Sequence, residues 1–400
     1  MLAARMSRIA SSPTMKGLVA AEQLRRQGVD VVDLAVGEPD FPTPDHVKLA
    51  AKAAIDANFT KYTANAGTLE LKQAITGRYK TDYGITYADA ETIVTAGGKQ
   101  ALANSALSLF GPGDEVITHA PGWPTIVEQI KLADATPVIV HARSENGFTL
   151  NADLFIEAIT PRTKGIIVNS PSNPTGALMS EDELRKLAKV AAQKGIWIVL
   201  DLCYEKLIYE PVPHNLPGVL VEEMRDRAVI TSSASKAYAM TGWRCGWVLA
   251  PKEVISACNA LQSHQTSNAC SITQRAVIAA LNGPQDCVTE MLEEYRGRRD
   301  QLWQWLTADA RIKCLKPAGA FYLFIDIADL LSPNGVRTSA EFADRLIAEP
   351  HVVTTAGEAF DAPGFLRLSY AASVERLREA SDRIHAFVKA LDKGQPVAAR

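Results

Sequence analysis

Short, nearly uninterrupted apolar runs recur through the middle of the chain, at 92–95, 115–118, 137–140, 165–169, 196–200 and 228–231. Runs of this length without polar alternation predict strands buried on both faces. Between two of them the period changes to that of a helix. Leu184, Leu187, Ala188 and Ala191 fall on one face, and Ser180 with Glu183 ahead of them reads as a capping box. Gly97-Gly98 closes the first run and opens a predicted helix over 99–110, which Gly111-Pro112-Gly113 stops. Strands alternating with helices predict an α/β domain with a mostly parallel sheet. From 288 to 306 the pattern is helical and charged, with Glu293, Glu294, Arg296, Arg298 and Arg299, and reads as a solvated face. Strands over 321–324 and 365–369, with helices over 339–347 and 374–391, predict a second, smaller α+β domain. The first 45 or so residues are expected to pack with it. The predicted division is 46–290 for the large domain, and 1–45 with 291–400 for the small one.

A length of 400 residues suits that division. A hydrophobic share of 47% and a charged share of 22% are ordinary for a soluble globular protein. The net charge of -3 gives no electrostatic case for nucleic acid or an anionic membrane as partner. No run approaches a membrane span, and the N-terminus lacks the apolar core of a secretory signal. The six cysteines (Cys203, Cys245, Cys258, Cys270, Cys287 and Cys314) include no Cys-x-x-Cys pair. They read as reduced thiols, which places the chain in the cytoplasm. The histidines have no metal-like spacing, and His264 reads as a surface or interface residue. The segment 393–400 reads as a frayed tail.

Ligands of open α/β sheets sit beyond the carboxyl ends of the strands. Four chemistry-bearing segments fall there. Gly97-Gly98 precedes a helix, whose first N–H groups and dipole favour a phosphate. Asn173 lies in the turn Asn169-Ser170-Pro171-Ser172-Asn173-Pro174-Thr175-Gly176. Asp201 ends another run, with Tyr204 three residues on. Lys236 ends the hydroxyl-rich run Ser232-Ser233-Ala234-Ser235, and Arg244 follows eight positions later. That last arrangement suits an amine forming a Schiff base beside a phosphate held by hydroxyls and a guanidinium. Singly, each segment has a plainer explanation: a tight turn, a helix cap, a core phenol, a loop lysine. Together they supply the parts needed to hold pyridoxal 5′-phosphate and use it as an electron sink.

With those motifs in order, the chain resembles the fold-type I, class I/II aminotransferase family, on the side of its bacterial aspartate-type members. The resemblance runs from Leu34-Ala35-Val36-Gly37-Glu38-Pro39-Asp40-Phe41-Pro42 to Arg367-Leu368-Ser369-Tyr370. It implies a large domain with a mostly parallel seven-stranded sheet between helices, a smaller α+β domain, and pyridoxal 5′-phosphate as cofactor. Lys236 would be joined to the cofactor and shuttle a proton, Asp201 would face the ring nitrogen, and Tyr204 and Asn173 would bond the ring oxygen. Gly97, Gly98, Lys99, Ser233 and Arg244 would hold the phosphate, and Trp123 would stack on the ring. Arg367 would clamp the substrate carboxylate, helped by Asn173 and the Gly37 backbone. Tyr62 would reach the phosphate of a neighbouring subunit, which implies a homodimer with shared sites. Cis bonds are expected at Ala120–Pro121 and Asn173–Pro174. Ser12 and Thr14 would belong to a segment that closes over the substrate.

The implied reaction is a ping-pong transfer of an amino group between an L-amino acid and a 2-oxo acid such as 2-oxoglutarate, with an aspartate-like donor favoured. Three segments depart from the commoner pattern. Asp201-Leu202-Cys203-Tyr204 stands where many relatives have Asp-Glu-x-Tyr, though the carboxylate-to-phenol spacing is kept. Pro124-Thr125-Ile126 after Trp123 is less familiar. Ser263 occupies the position where one branch carries an arginine for the distal carboxylate. Aromatic and other neutral donors therefore stay open, as does a lyase or synthase on the same fold.

Overall fold

The computed structural model describes residues 3–10, 15–332 and 335–392. Ser12, Thr14 and the tail from 393 lie outside the described residues. A two-residue strand, β1 (Val32–Asp33), comes first. Seven strands come next: β2 (Thr92–Thr95), β3 (Glu115–Ala120), β4 (Thr136–His141), β5 (Thr163–Asn169), β6 (Trp197–Asp201), β7 (Ala228–Ser233) and β8 (Gly246–Leu249). They form one sheet in the order β2-β8-β7-β6-β5-β3-β4. Neighbours from β7 through β6, β5 and β3 to β4 are parallel, and β8 runs antiparallel to both its partners. The apolar runs explain the central strands. β6 and β8 are buried at every position and β5 at its last five. Such strands bury both pleat faces under helices.

Register then builds the site. Asn169 is opposite Asp201, and Asp201 is opposite Thr231. The carboxyl ends of β5, β6 and β7 are therefore level, and the loops beyond them converge.

The amphipathic helix Glu181–Lys194 packs as its pattern requires, with Leu184, Leu187, Ala188 and Ala191 fully buried. Its expected capping box is half formed. Ser180 Oγ accepts from the Glu183 N–H at 3.2 Å. The Glu183 carboxylate instead accepts from the Ala152 N–H at 2.6 Å, which ties this helix to the start of the preceding one.

The second sheet is antiparallel. β9 (Lys313–Cys314), β10 (Tyr322–Asp326), β12 (Thr355–Ala356) and β13 (Phe365–Ser369) stand in the order β12-β13-β10-β9. β1 pairs in parallel with β11 (Val352–Val353), so the N-terminal segment joins this layer. The helix Asp286–Leu306 corrects one expectation. Its charge run is solvated only in part: Glu293 and Glu294 are exposed and Arg296 is half-buried, but Arg298 and Arg299 are 8% and 2% exposed. Arg298 donates to both Asp40 oxygens at 2.8 Å and to Glu294 at 2.9 Å, with its guanidinium 5.0 Å from the Phe41 ring centroid. A buried guanidinium needs such partners. It fastens the segment after Gly37 to the helix. Among the described residues no helix is long and apolar enough to cross a membrane.

Candidate active site

The loops beyond β5, β6 and β7 enclose a cavity of about 590 Å³ that reaches the second sheet. Asp201 lies at its floor, 4% exposed, and its Oδ1 accepts from the Cys203 N–H at 3.1 Å. Burial pushes its carboxyl up to about 7 against that one backbone donor. A carboxylate placed this way favours a cation brought against it.

Lys236 faces the same space from the short helix Ala234–Ala237. Its Nζ donates to the Gly37 carbonyl and lies 6.0 Å from the Tyr204 ring centroid. Burial is the main influence on this amine and lowers its pKa; the Cys203 thiol and Glu38 oppose it. Desolvation therefore favours the neutral, nucleophilic form.

One end of the cavity is built for an anion. Gly97 caps the helix Gly98–Leu109 at a φ of 86°, a conformation open to glycine. A Cβ at Gly97 would stand 2.6 Å from Arg244 Nη2, so the guanidinium packs directly on the turn. Arg244 is itself left-handed at a φ of 55° and donates to the Thr241 carbonyl at 2.8 Å. Ser233 Oγ would lie 3.5 Å from a Cβ on Gly98. Lys99 holds its ammonium 5.1 Å from the Trp123 ring centroid.

The other end carries Arg367, 3% exposed, from β13. It donates to Asn173 Oδ1 at 3.0 Å and to the Ala35 carbonyl at 2.6 Å, while its Nε has no partner among the described residues. Asn173 is held in turn by Asn169, whose Oδ1 accepts the Asn173 N–H at 2.9 Å. Both expected cis bonds are present, and Ser170–Pro171 is a third.

Eleven of the residues expected to form the site line this cavity: Gly37, Gly98, Lys99, Trp123, Asn173 and Asp201, with Tyr204, Ser233, Lys236, Arg244 and Arg367. Gly97 lies immediately behind them against Arg244. Tyr62 is elsewhere, 91% exposed. Ser263 and His264 are exposed at the end of the helix Lys252–Gln265. Three neighbours were not expected from the sequence. Tyr322 sets its hydroxyl 2.8 Å from that of Tyr204. Glu38 accepts from Thr241 Oγ1 at 2.9 Å. His119 is fully buried beneath the site, with Nδ1 3.1 Å from the Pro121 carbonyl and Nε2 accepting from the Asn169 N–H at 3.4 Å. Burial lowers that imidazole to about 4, so it is neutral and bridges the Trp123 loop to β5. Glu38 directly follows Gly37 in the chain, which was a usable signal, but nothing local marks Tyr322 or His119.

The model of the family described as "Aminotransferase class I and II" matches residues 29–384. An aspartate aminotransferase of Geobacillus stearothermophilus is 41% identical over 389 residues, covering 97% of this chain and 99% of that protein. An aspartate/prephenate aminotransferase of Cereibacter sphaeroides is 41% identical over 392 residues, covering 96% and 98%. Among solved structures, the aspartate aminotransferase of Thermus thermophilus with maleate superposes with a TM-score of 0.91 at 39% identity, covering 97% of this chain and 99% of that one. The expected fold-type I layering is present in this chain. The chain belongs to the aminotransferase class I and II family and is an enzyme of that kind.

Proposed function

We propose that this chain uses pyridoxal 5′-phosphate to move an amino group between an acidic L-amino acid, aspartate favoured, and a 2-oxo acid such as 2-oxoglutarate. The observation that carries the reading is one cavity with a buried amine and a buried carboxylate between two cationic ends. The residues fit the cofactor. The Gly97 turn leaves room that any Cβ would take from Arg244. Asp201 is a desolvated carboxylate suited to a pyridinium nitrogen. The orphaned Arg367 Nε is a donor in need of an acceptor.

When bound, pyridoxal phosphate supplies a ring that takes up the electron pair left at the substrate α-carbon. The chain's residues do the rest. Asp201 holds the ring nitrogen charged by direct pairing. Gly97, Gly98, Ser233 and Arg244 hold the phosphate through backbone donors, a hydroxyl and a cation. Trp123 would stack on the ring, and Tyr204 with Asn173 would hydrogen-bond the ring oxygen, all three lining the cavity. Arg367 grips the substrate carboxylate and fixes the α-carbon, which is an orientation effect. Lys236 takes the α-proton on Nζ and returns it, as general base and then general acid. Lys99, over Trp123, can serve the phosphate or a second substrate carboxylate.

Tyr62, large and exposed, supports a homodimer in which it acts on the other subunit's cofactor. Light scattering should give twice the chain mass, and a fully active monomer would contradict this. The six free cysteines support a reducing, cytoplasmic setting.

The reading is tested with aspartate and 2-oxoglutarate. Stoichiometric glutamate is expected, whereas loss of aspartate without glutamate would favour a lyase. Two variants probe the ends of the cavity. Arg367→Leu should lower kcat/KM by about 10²-fold, mostly through KM, as expected when one partner of a buried charged pair is removed. Gly97→Ala forces a side chain into a glycine-only conformation and against Arg244. It should weaken cofactor binding to the cofactor-free protein roughly tenfold. Equilibrium dialysis would measure it, and unchanged affinity would remove the turn from the phosphate site.

A further inference from the structure

Tyr322 touches two of the groups that serve the cofactor and the substrate, Tyr204 and Arg367. It lies in β10, 1% exposed. The pairings Tyr322 with Ser369 and Phe324 with Arg367 make it a diagonal neighbour of Arg367 on one sheet face. The Arg367 guanidinium accordingly lies 4.4 Å from its ring centroid. Its hydroxyl is 2.8 Å from that of Tyr204. A Cβ on Gly37 would come 2.7 Å from the Tyr322 hydroxyl, so the segment bearing Gly37 closes against it.

Each of the two hydroxyls has one proton to give. Among the described residues, each is the other's hydrogen-bond partner. Once Tyr204 donates to the ring oxygen of a bound cofactor, its own oxygen is left to accept. Tyr322 then has that oxygen as its acceptor, and leaving a buried hydroxyl without one is unfavourable. The chain of donation therefore runs one way, from Tyr322 to Tyr204 to the ring oxygen. A donor whose oxygen also accepts is polarised and donates more strongly, by roughly 10–30%.

We propose that Tyr322 is a positioning residue: its hydroxyl fixes Tyr204 in the donating orientation while its ring carries the Arg367 clamp. The inference rests on the proposed use of pyridoxal phosphate. It ties the donor at the ring oxygen and the cation at the substrate carboxylate to one side chain.

Tyr322→Phe keeps the ring under Arg367 and removes the hydroxyl alone. The protein loaded with pyridoxal phosphate is titrated by visible absorption without substrate. A weaker donor leaves more negative charge on the ring oxygen, so the bound group keeps its proton to higher pH. The midpoint should rise by roughly half a pH unit, about a threefold change in proton affinity. kcat should fall about threefold with KM held within about twofold. On a Tyr204→Phe background the same change should move the midpoint no further, because Tyr322 acts through Tyr204. Tyr322→Leu, which also removes the platform, should raise KM about tenfold. An unmoved midpoint in Tyr322→Phe, or an equal shift on the Tyr204→Phe background, would overturn the proposal. A wild-type protein with no pH-dependent visible band after pyridoxal phosphate is added would overturn the cofactor reading, and this inference with it.

Discussion

Lys236→Ala should lower transamination by at least about 10³-fold and leave the fold intact. The expectation rests on position. The amine is inside the cavity, its pKa is lowered by burial, and its Nζ already donates to the Gly37 carbonyl. Proton transfer at the substrate α-carbon needs a base that is neutral, desolvated and mobile on its own stem. Lys99, the other lysine of the cavity, sits toward Trp123 and the phosphate end and cannot replace it there. The variant should melt within a few degrees of wild type, since alanine removes a desolvated amine along with its packing. Turnover within tenfold of wild type in a folded variant would contradict the assignment.

Asp201→Asn should lower kcat by about 10²- to 10³-fold, as expected when one electrostatic partner is removed from a dry site. The same substitution has a second signature in the cofactor-free protein. The Asp201 carboxyl stands at about 7 in the folded chain against an ordinary value of 3.8. Between those values the folded state holds a proton that the unfolded chain has released. Stability therefore falls as pH rises from about 4 to about 7, by about 4 kcal/mol in all. A pyridinium nitrogen against the carboxylate would remove that loss. Denaturation of the cofactor-free protein at pH 5 and pH 8 should thus show a decline that Asn lessens and that pyridoxal phosphate reduces, Glu205, also raised by burial, supplying a remainder in both proteins. Equal pH dependence in wild type and variant would show that the carboxylate is better solvated than its burial implies.

Much of this site was legible because it is written in local signals. The apolar run ending at Asp201, the Gly97-Gly98 turn and the hydroxyl-rich run before Lys236 each mark a strand end and the turn or helix next to it. Parallel pairing then does the assembly, since level strand ends bring separated loops together without any further signal. What escaped was contact across elements. Tyr322 meets Arg367 through antiparallel register, which one sequence does not print. Arg298 looked like a solvent charge because its partner Asp40 lies 258 positions away. Glu183 satisfied the local rule for a cap, yet an N–H of another helix took its carboxylate. His119 is kept neutral by burial, and its ring nitrogens find their partners on the backbone of two separate segments.

The most direct test of the central claim is chemical mapping of the cofactor linkage. The protein is loaded with pyridoxal phosphate, reduced with borohydride, digested and sequenced by mass spectrometry. One modified lysine is expected, and it is Lys236. Modification at Lys99 or at surface lysines alone, or no modification, would contradict the account.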